Sequence, residues 1–242
     1  MAINGDGCAF EPGKVALPDA SARQQIALRY WQNGSADIDG MLGGIPSLNG
    51  HSHYSRIDLQ GSRSFLAKLG IGAKNGRHLV ADILEGGAGI GEAVDVIEPV
   101  SKFTDQLQGK KGVRNIFNVG LEDWEPTGTV QYDLIWLQGC VCHLTDEQLI
   151  RHLKQCKTAL KKDNGLIIIK ENIAPHGADI FDPVDSTIMR QDGKFRDIFK
   201  VTGLRVVKKE VQKGFQTNKT AQQLFPVYMY ALRPEAEVPI SS

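Results

Sequence analysis

The feature that most constrains the fold of this chain is a strand–glycine–strand pattern at residues 79–99. An apolar run that starts at Leu79 leads into the glycine-rich segment 86–91, and a second apolar run, residues 94–97, ends at Glu98. In nucleotide sites, such glycines let the backbone approach the ligand, and an acid after the second strand accepts hydrogen bonds from ribose hydroxyls. The pattern indicates a nucleotide-type site, but glycine-rich loops are common, and other motifs have to decide.

The spacing inside this pattern is unusually short. Only Glu92 and Ala93 lie between Gly91 and the second apolar run. Two neighbouring parallel strands need a crossover of about a dozen residues or more, usually a helix. Either the two runs are not parallel neighbours, or the chain lacks its first crossover helix. The regular alternation of strands and helices in the rest of the chain favours the second alternative.

The remaining apolar patterns place the chain in the α/β class with a mainly parallel sheet. Helices are predicted from Ser21 to Asn33 and from Asp58 to Leu69, and a further helix has Thr145 as its N-cap. Strands are predicted at 115–119, 132–137 and 166–170, with a closing antiparallel pair at 204–210 and 227–231. The predicted organisation is a loose arm (1–20), one domain (21–235) with a helical cap and flap loop (21–78) before its core (79–235), and a tail (236–242).

Composition limits the partners that we expect. The chain has 28 basic and 28 acidic residues and a net charge of zero, which gives no strong attraction to nucleic acid or to membrane surfaces. Its four cysteines lack the spacing of a disulfide framework or a zinc ribbon, so we expect a reducing compartment, cytoplasm or nucleus, and no metal site. We also expect a monomer.

Several short motifs are specific enough to name a family. They are Tyr30-Trp31, the loop DGMLGG at 39–44, GAGIG at 87–91, HLTD at 143–146 and KEN at 170–172. With these motifs the chain resembles the protein N-terminal methyltransferases, S-adenosylmethionine-dependent enzymes that methylate the α-amino group of proteins starting Xaa-Pro-Lys. The resemblance covers roughly residues 30–233. It implies a Rossmann-like class I methyltransferase fold with an N-terminal helical extension, S-adenosylmethionine as cofactor, and the N-terminal peptide of a protein as partner.

The resemblance also implies the residues of the cofactor site. Glycines of the motif lie beside the methionine part of the cofactor, an acid binds the ribose, and a loop and a strand-end glutamine lie on the adenine side. The matching residues here are Gly87, Gly89, Glu98, Pro99, Leu121, Glu122 and Gln138. The family motif ends in an arginine that can pair with the cofactor carboxylate, and this chain has Glu92 there. That change replaces attraction by repulsion, at a cost of a few kcal/mol in a partly buried site.

For the acceptor site, the resemblance implies an acid pair, Asp182 and Asp185, that holds the lysine ammonium of the substrate. It further implies that Asn172 orients the terminal amine, that His143 together with Asp185 accepts the amine proton, and that Leu42 and Phe225 are apolar walls. Deprotonation is required because an ammonium has no lone pair with which to attack a methyl group. The family has a tryptophan at the position of Gly139, so the wall that packs the substrate's proline is absent.

Three alternatives remain open from the sequence. Gly139 opens the pocket and would suit a small-molecule acceptor, a carboxylic acid or an amine. The short crossover and Glu92 would suit a cofactor-deficient variant or a gene-model product. His143 could also be a structural histidine, and Asp182 and Asp185 could be solvated surface acids.

Overall fold

The computed structural model describes residues 18–36, 51–71, 80–86, 93–214 and 225–236, with side chains from residue 55 in the second helix and from Val94 in the second strand. The site predictions for Leu42, Gly87 and Gly89 lie outside these ranges, as does Glu92. The helices are α1 (Ala20–Asn33), α2 (His51–Lys68), α3 (Ser101–Thr104), α4 (Asp146–Ala159) and α5 (Asp192–Val201). The strands are β1 (Asp82–Gly86), β2 (Ala93–Ile97), β3 (Val113–Phe117), β4 (Leu134–Gln138), β5 (Leu166–Asn172), β6 (Ile180–Asp182), β7 (Thr187–Met189), β8 (Leu204–Val211) and β9 (Val227–Pro234).

Seven of these strands form one mixed sheet in the order β3-β2-β1-β4-β5-β9-β8. The first five strands are parallel, and β9 is antiparallel to both β5 and β8. The prediction of a Rossmann-like sheet with a closing antiparallel pair is confirmed. β6 and β7 form a separate antiparallel hairpin.

The strands on either side of the glycine segment are parallel neighbours. Asp82 lies opposite Ala93, and Glu85 lies opposite Val96. Residues 87–92, six positions, are all that connect β1 to β2. This is about half the length of an ordinary crossover. The alternative that the two runs are not parallel neighbours is therefore wrong, and the chain has an unusually short first connection.

Some local predictions were wrong. Helix α2 begins at His51 and not at the predicted Asp58, seven residues later. The β6–β7 hairpin had no clear sequence signal, because β6 and β7 have only three residues each. Patterns this short are below the length at which alternation can be recognised. Helix α5 was not predicted, although Phe195, Ile198 and Phe199 have helical spacing. The predicted N-cap of α4 is confirmed: Thr145 accepts a hydrogen bond from the Gln148 backbone, and the Gln148 side chain accepts one from the Thr145 backbone.

Two apolar clusters lie on opposite faces of the sheet. One contains Leu149 and Leu153 of α4 and Phe195 and Phe199 of α5, and the other contains Phe65 of α2. Helices on both faces leave the carboxyl ends of the parallel strands uncovered at one edge, where open α/β sheets bind ligands. Within the described ranges, no helix is long and apolar enough to cross a membrane.

Candidate active site

Glu98 lies at the carboxyl end of β2, where the ribose-binding acid is predicted. Its Oε1 accepts a hydrogen bond from the backbone nitrogen of Val100 at 2.8 Å, and its backbone carbonyl accepts one from Asn118 at 3.0 Å. Burial raises the pKa of Glu98, while the hydrogen bond from Val100 opposes the rise. The other carboxylate oxygen makes no hydrogen bond within the described chain. Glu98 is thus fixed in place at the strand end with one carboxylate oxygen uncommitted, and Pro99 lies exposed beside it.

The predicted adenine-side loop is held by two helices. Leu121 is buried, and the backbone nitrogen of Trp124 donates to the carbonyl of Gly120 at 3.0 Å to close the turn. The carboxylate of Glu122 accepts a hydrogen bond from Gln24 of α1, and its backbone carbonyl accepts one from Arg151 of α4 at 3.3 Å. Burial raises the pKa of Glu122.

Gln138 occupies the end of β4, but its side chain is engaged within the protein. Its Nε2 donates to Asp58 of α2 at 3.0 Å, and its Oε1 accepts from Nε1 of Trp136 at 3.0 Å. Asp58 also pairs with the buried Lys170 at 2.6 Å. Burial lowers the pKa of Lys170, and the Asp58 charge opposes this. This network fastens α2 to the sheet and limits Gln138 as a side-chain ligand for the cofactor.

The predicted acid pair lies at the tip of the β6–β7 hairpin. Oδ1 of Asp182 accepts from the backbone of Val184 at 2.9 Å, and Oδ1 of Asp185 accepts from the Thr187 backbone and hydroxyl at 3.1 and 2.7 Å. Asp185 is only 2% exposed, so it is not a solvated surface acid. Burial raises the pKa of Asp182, and the nearby charge of Asp185 raises it further. Each carboxylate uses one oxygen to shape the turn, and its other oxygen makes no hydrogen bond within the described ranges.

Helix α1 lies against this acceptor region. Nε1 of Trp31 donates to Nε2 of His143 at 3.2 Å, and the guanidinium of Arg23 reaches the carbonyls of His143 and Ser186 at 3.4 and 3.5 Å. The pKa of Tyr30 is raised, first by burial and further by the charges of Asp185 and Asp182. Sequence reasoning gave these α1 residues no role, although Tyr30-Trp31 was among the motifs.

His143 ends a single 3-10 turn, Val141–His143, that two buried charges hold at its two ends. Glu171 of β5 accepts a hydrogen bond from the backbone nitrogen of Val141 at 2.9 Å. Arg190, which has no exposed surface, donates to the carbonyls of Val141 and Leu144 at 3.1 and 2.6 Å. Sequence reasoning missed both residues. A carboxylate within the apolar run of β5 was a usable signal, because a buried charge needs a specific partner.

The remaining predicted acceptor residues lie at neighbouring strand ends. Asn172 ends β5 and faces Val227 in the backbone pairing with β9, and its side chain makes no hydrogen bond within the described ranges. Phe225 is half-buried just before β9. Gly139 follows β4 with φ 62°, a left-handed conformation that favours glycine, and open space surrounds the position of a Cβ. No group of three metal-ligating side chains occurs among the residues that the structure describes.

Comparison with known proteins identifies the family. The profile of the AdoMet-dependent proline di-methyltransferases matches residues 19–233. The chain belongs to this family. It is an S-adenosylmethionine-dependent methyltransferase. Similar relatives are alpha N-terminal protein methyltransferase 1 of Schizosaccharomyces pombe, 37% identical over 87% of this chain and 95% of the relative, and N-terminal Xaa-Pro-Lys N-methyltransferase 1 of Mus musculus, 34% identical over 86% and 93%.

Solved structures agree with the fold of this methyltransferase. A SAM-dependent methyltransferase of Leishmania major has a TM-score of 0.72 and 30% identity, over 87% of this chain and 83% of that chain. The 1,6-didemethyltoxoflavin-N1-methyltransferase of Burkholderia thailandensis, solved with S-adenosylhomocysteine, has a TM-score of 0.62 at 14% identity, over 93% and 94%. The second likeness concerns the fold alone.

Glu171 predicts a pH dependence of stability. Burial raises its pKa to about 7, so between its unfolded value of 4.5 and 7 the folded protein binds the extra proton. The contribution of Glu171 to the free energy of unfolding is therefore fully present below pH 4.5 and is lost as the pH rises through 7. Glu171→Gln keeps an acceptor for the backbone nitrogen of Val141 but has no charge. We expect the free energy of unfolding of the variant, relative to that of the parent, to be about 1–3 kcal/mol higher at pH 8 than at pH 5.

Urea unfolding at both pH values measures this difference. Glu210→Gln is the matched control, because Glu210 is a surface carboxylate whose pKa is lowered by Lys68 and which stays ionised over this range. The difference in free energy of unfolding between Glu210→Gln and the parent should be the same at pH 5 and pH 8. A constant difference for Glu171→Gln as well would contradict the raised pKa.

Proposed function

We propose that this methyltransferase transfers methyl groups to the α-amino group of proteins that begin Xaa-Pro-Lys. The observation that carries the proposal is the acid pair Asp182 and Asp185 at one hairpin tip, next to the His143 turn, to which Arg23 of α1 joins the tip by contacting the carbonyls of both His143 and Ser186. Two carboxylates with one uncommitted oxygen each are suited to the ammonium of the substrate's lysine, which would donate charge-assisted hydrogen bonds to both. The names of the relatives from Xenopus laevis and Mus musculus, N-terminal Xaa-Pro-Lys N-methyltransferases, support this substrate.

The proposed residue roles follow from the two halves of the site. On the cofactor side, Glu98 would hold the ribose, with Pro99, Leu121, Glu122 and Gln138 around it and Gly87 and Gly89 beside the methionine part. When bound, S-adenosylmethionine supplies an electrophilic methyl group. On the acceptor side, Asn172 would orient the amine, and Leu42 and Phe225 would flank the peptide. The α-amino group has a pKa near 7.7–8.0, so a neighbouring carboxylate is a suitable proton acceptor.

Gly139 supports a second, broader acceptor range. Open space surrounds the position where its side chain would begin. A pocket without an aromatic wall there would select less strictly for proline at the second residue, and it would leave room for a small amine or carboxylic acid. We propose the peptide as the main acceptor. Its third residue is a lysine whose ammonium can bind the two carboxylates, whereas a small amine or carboxylic acid has no second, cationic group for them to bind.

The organisation of the chain belongs to the same proposal. A single domain over residues 21–235, with an arm and a tail outside it, would act as a monomer. A balanced net charge supports neither nucleic acid nor a membrane as a partner. Cytoplasm or nucleus is the proposed location, where protein N-termini of this kind are made and used.

A peptide panel tests the proposed function. We expect mass spectrometry to show methylation of a Ser-Pro-Lys peptide. For Ser-Pro-Glu we expect kcat/KM to be lower by at least about 100-fold, since the acid pair would repel the glutamate at its third position. N-acetylated Ser-Pro-Lys, whose α-amino group is blocked, is the control and should not be methylated, although its lysine amine is still free. Equal rates for Ser-Pro-Lys and Ser-Pro-Glu, or labelling of only small molecules from a metabolite extract, would contradict the proposal.

A further inference from the structure

The hydrogen bond between Trp31 and His143 determines which nitrogen of the imidazole carries the proton. The indole nitrogen can only donate, so Nε2 of His143, 3.2 Å away, is an acceptor without a proton. The rings meet edge-on at 86°, which directs the indole N–H at the imidazole. A neutral imidazole in this arrangement carries its proton on Nδ1, and Nδ1 is buried without a partner in the described part of the chain.

The charges around His143 also favour the neutral ring. Burial lowers its pKa to about 4; Asp185 of the hairpin raises it, and Arg23 of α1 lowers it. Of the other charged groups on neighbouring elements, Arg190 and Glu171 hold the backbone of the same turn. At neutral pH, His143 therefore has one lone pair, on Nε2, and Trp31 occupies it. An imidazolium would have to break this hydrogen bond, because two N–H groups would then point at each other.

We propose that Trp31 is a positioning residue that keeps His143 in its neutral Nδ1–H form, and that Asp185 alone, besides contacting the lysine ammonium, takes the proton of the substrate's α-ammonium. This inference rests on the proposed function. An N–H bond of the ammonium breaks, its electron pair stays on the nitrogen, and the proton bonds to Oδ2 of Asp185, because Oδ1 is held by Thr187. The neutral amine is then the nucleophile.

Nitrogen NMR of the histidine side chains in the full, ligand-free protein tests the role of Trp31. We expect His143 to be an uncharged Nδ1–H tautomer from pH 8 down to about pH 5, in accordance with its lowered pKa. Trp31→Phe keeps an aromatic ring but removes the donor. It should raise the pKa of His143 by about one unit and populate the Nε2–H tautomer.

Trp124→Phe is the matched control. Trp124 also meets a histidine edge-on, His152 at 5.8 Å between ring centroids, but its Nε1 has no hydrogen-bond partner within the described ranges. The His143 signals should not change in this variant. An Nε2–H tautomer in the parent, or His143 signals that are the same in Trp31→Phe and the parent, would overturn the assignment to Trp31.

His143→Gln tests the assignment of the base. Glutamine can donate a hydrogen bond but cannot accept a proton in this pH range. We expect kcat on Ser-Pro-Lys to fall by less than about tenfold, and the pH profile to keep its shape. A loss as large as that of Asp185→Asn would overturn the proposal. If the parent methylates no peptide at all, the proposed function fails and Asp185 loses its role, while the NMR result still decides whether Trp31 sets the tautomer.

Discussion

Asp185→Asn is expected to lower kcat for a Ser-Pro-Lys peptide by about 10²–10³-fold at pH 7, the range of a lost general base. Asparagine keeps the oxygen that accepts hydrogen bonds from Thr187, so the hairpin tip should remain folded. The variant loses the proton acceptor and one of the two charges that face the substrate cation. Raising the pH from 7 to 9 should recover part of the loss, because more of the α-amino group is then already neutral.

Asp182→Asn is the matched control for this prediction. It removes one charge from the same pair and keeps the acceptor for Val184. We expect it to raise KM with a small change in kcat, since it weakens binding of the cation without changing proton transfer. Its deficit should be independent of pH between 7 and 9. Identical effects of the two substitutions on kcat would show that the acids act only as a pair of charges.

Arg190→Met is expected to cost about 3–5 kcal/mol of folding free energy, because it breaks a buried charge network by removing one partner. Arg190 has no exposed surface and donates to two carbonyls and to Asp146 at 2.9 Å. Methionine fills much of the same volume but leaves the carbonyls of Val141 and Leu144 without these donors. The buried carboxylate of Glu171 also loses a cation that lowers its pKa.

Urea unfolding at pH 7 measures the effect of Arg190→Met. Arg196→Met is the control: Arg196 is 56% exposed and pairs with Asp192 one helical turn earlier, so we expect a change of about 0.5 kcal/mol or less. A loss under about 1 kcal/mol for Arg190→Met would mean that the turn carrying His143 is held by its packing and not by these charges.

The sequence was sufficient for the sheet but not for what surrounds the site. The apolar runs of β4 and β5 and the cap at Thr145 are local patterns, so they could be predicted. The contact of Trp31 with His143 spans 112 positions along the chain and depends on how α1 lies over the sheet, which no local pattern encodes. The acid pair came from the resemblance, and its burial came only from the structure. Leu42, Gly87 and Gly89 stay predictions.

Glu171 and Gln138 are two polar residues whose partners could not be predicted from the sequence. A glutamate inside a buried strand was visible in the sequence, but its partner, the backbone of the His143 turn, was not. Gln138 matched a cofactor ligand, yet Asp58 of α2 and Trp136 occupy both ends of its amide. Side-chain identity alone does not tell whether a polar group serves a ligand or the fold.

The position of β9 in the sheet has a consequence for how the chain is made. Among the strands of the described residues, β9 comes last in sequence, and it lies between β5 and β8, paired with both. A ribosome that has released everything up to β8 has produced a β5 whose edge is still unpaired. Exposed strand edges recruit other chains. The nascent protein therefore passes through a stage in which one edge of the buried strand β5 is open to aggregation, and synthesis of residues 227–234 ends that stage.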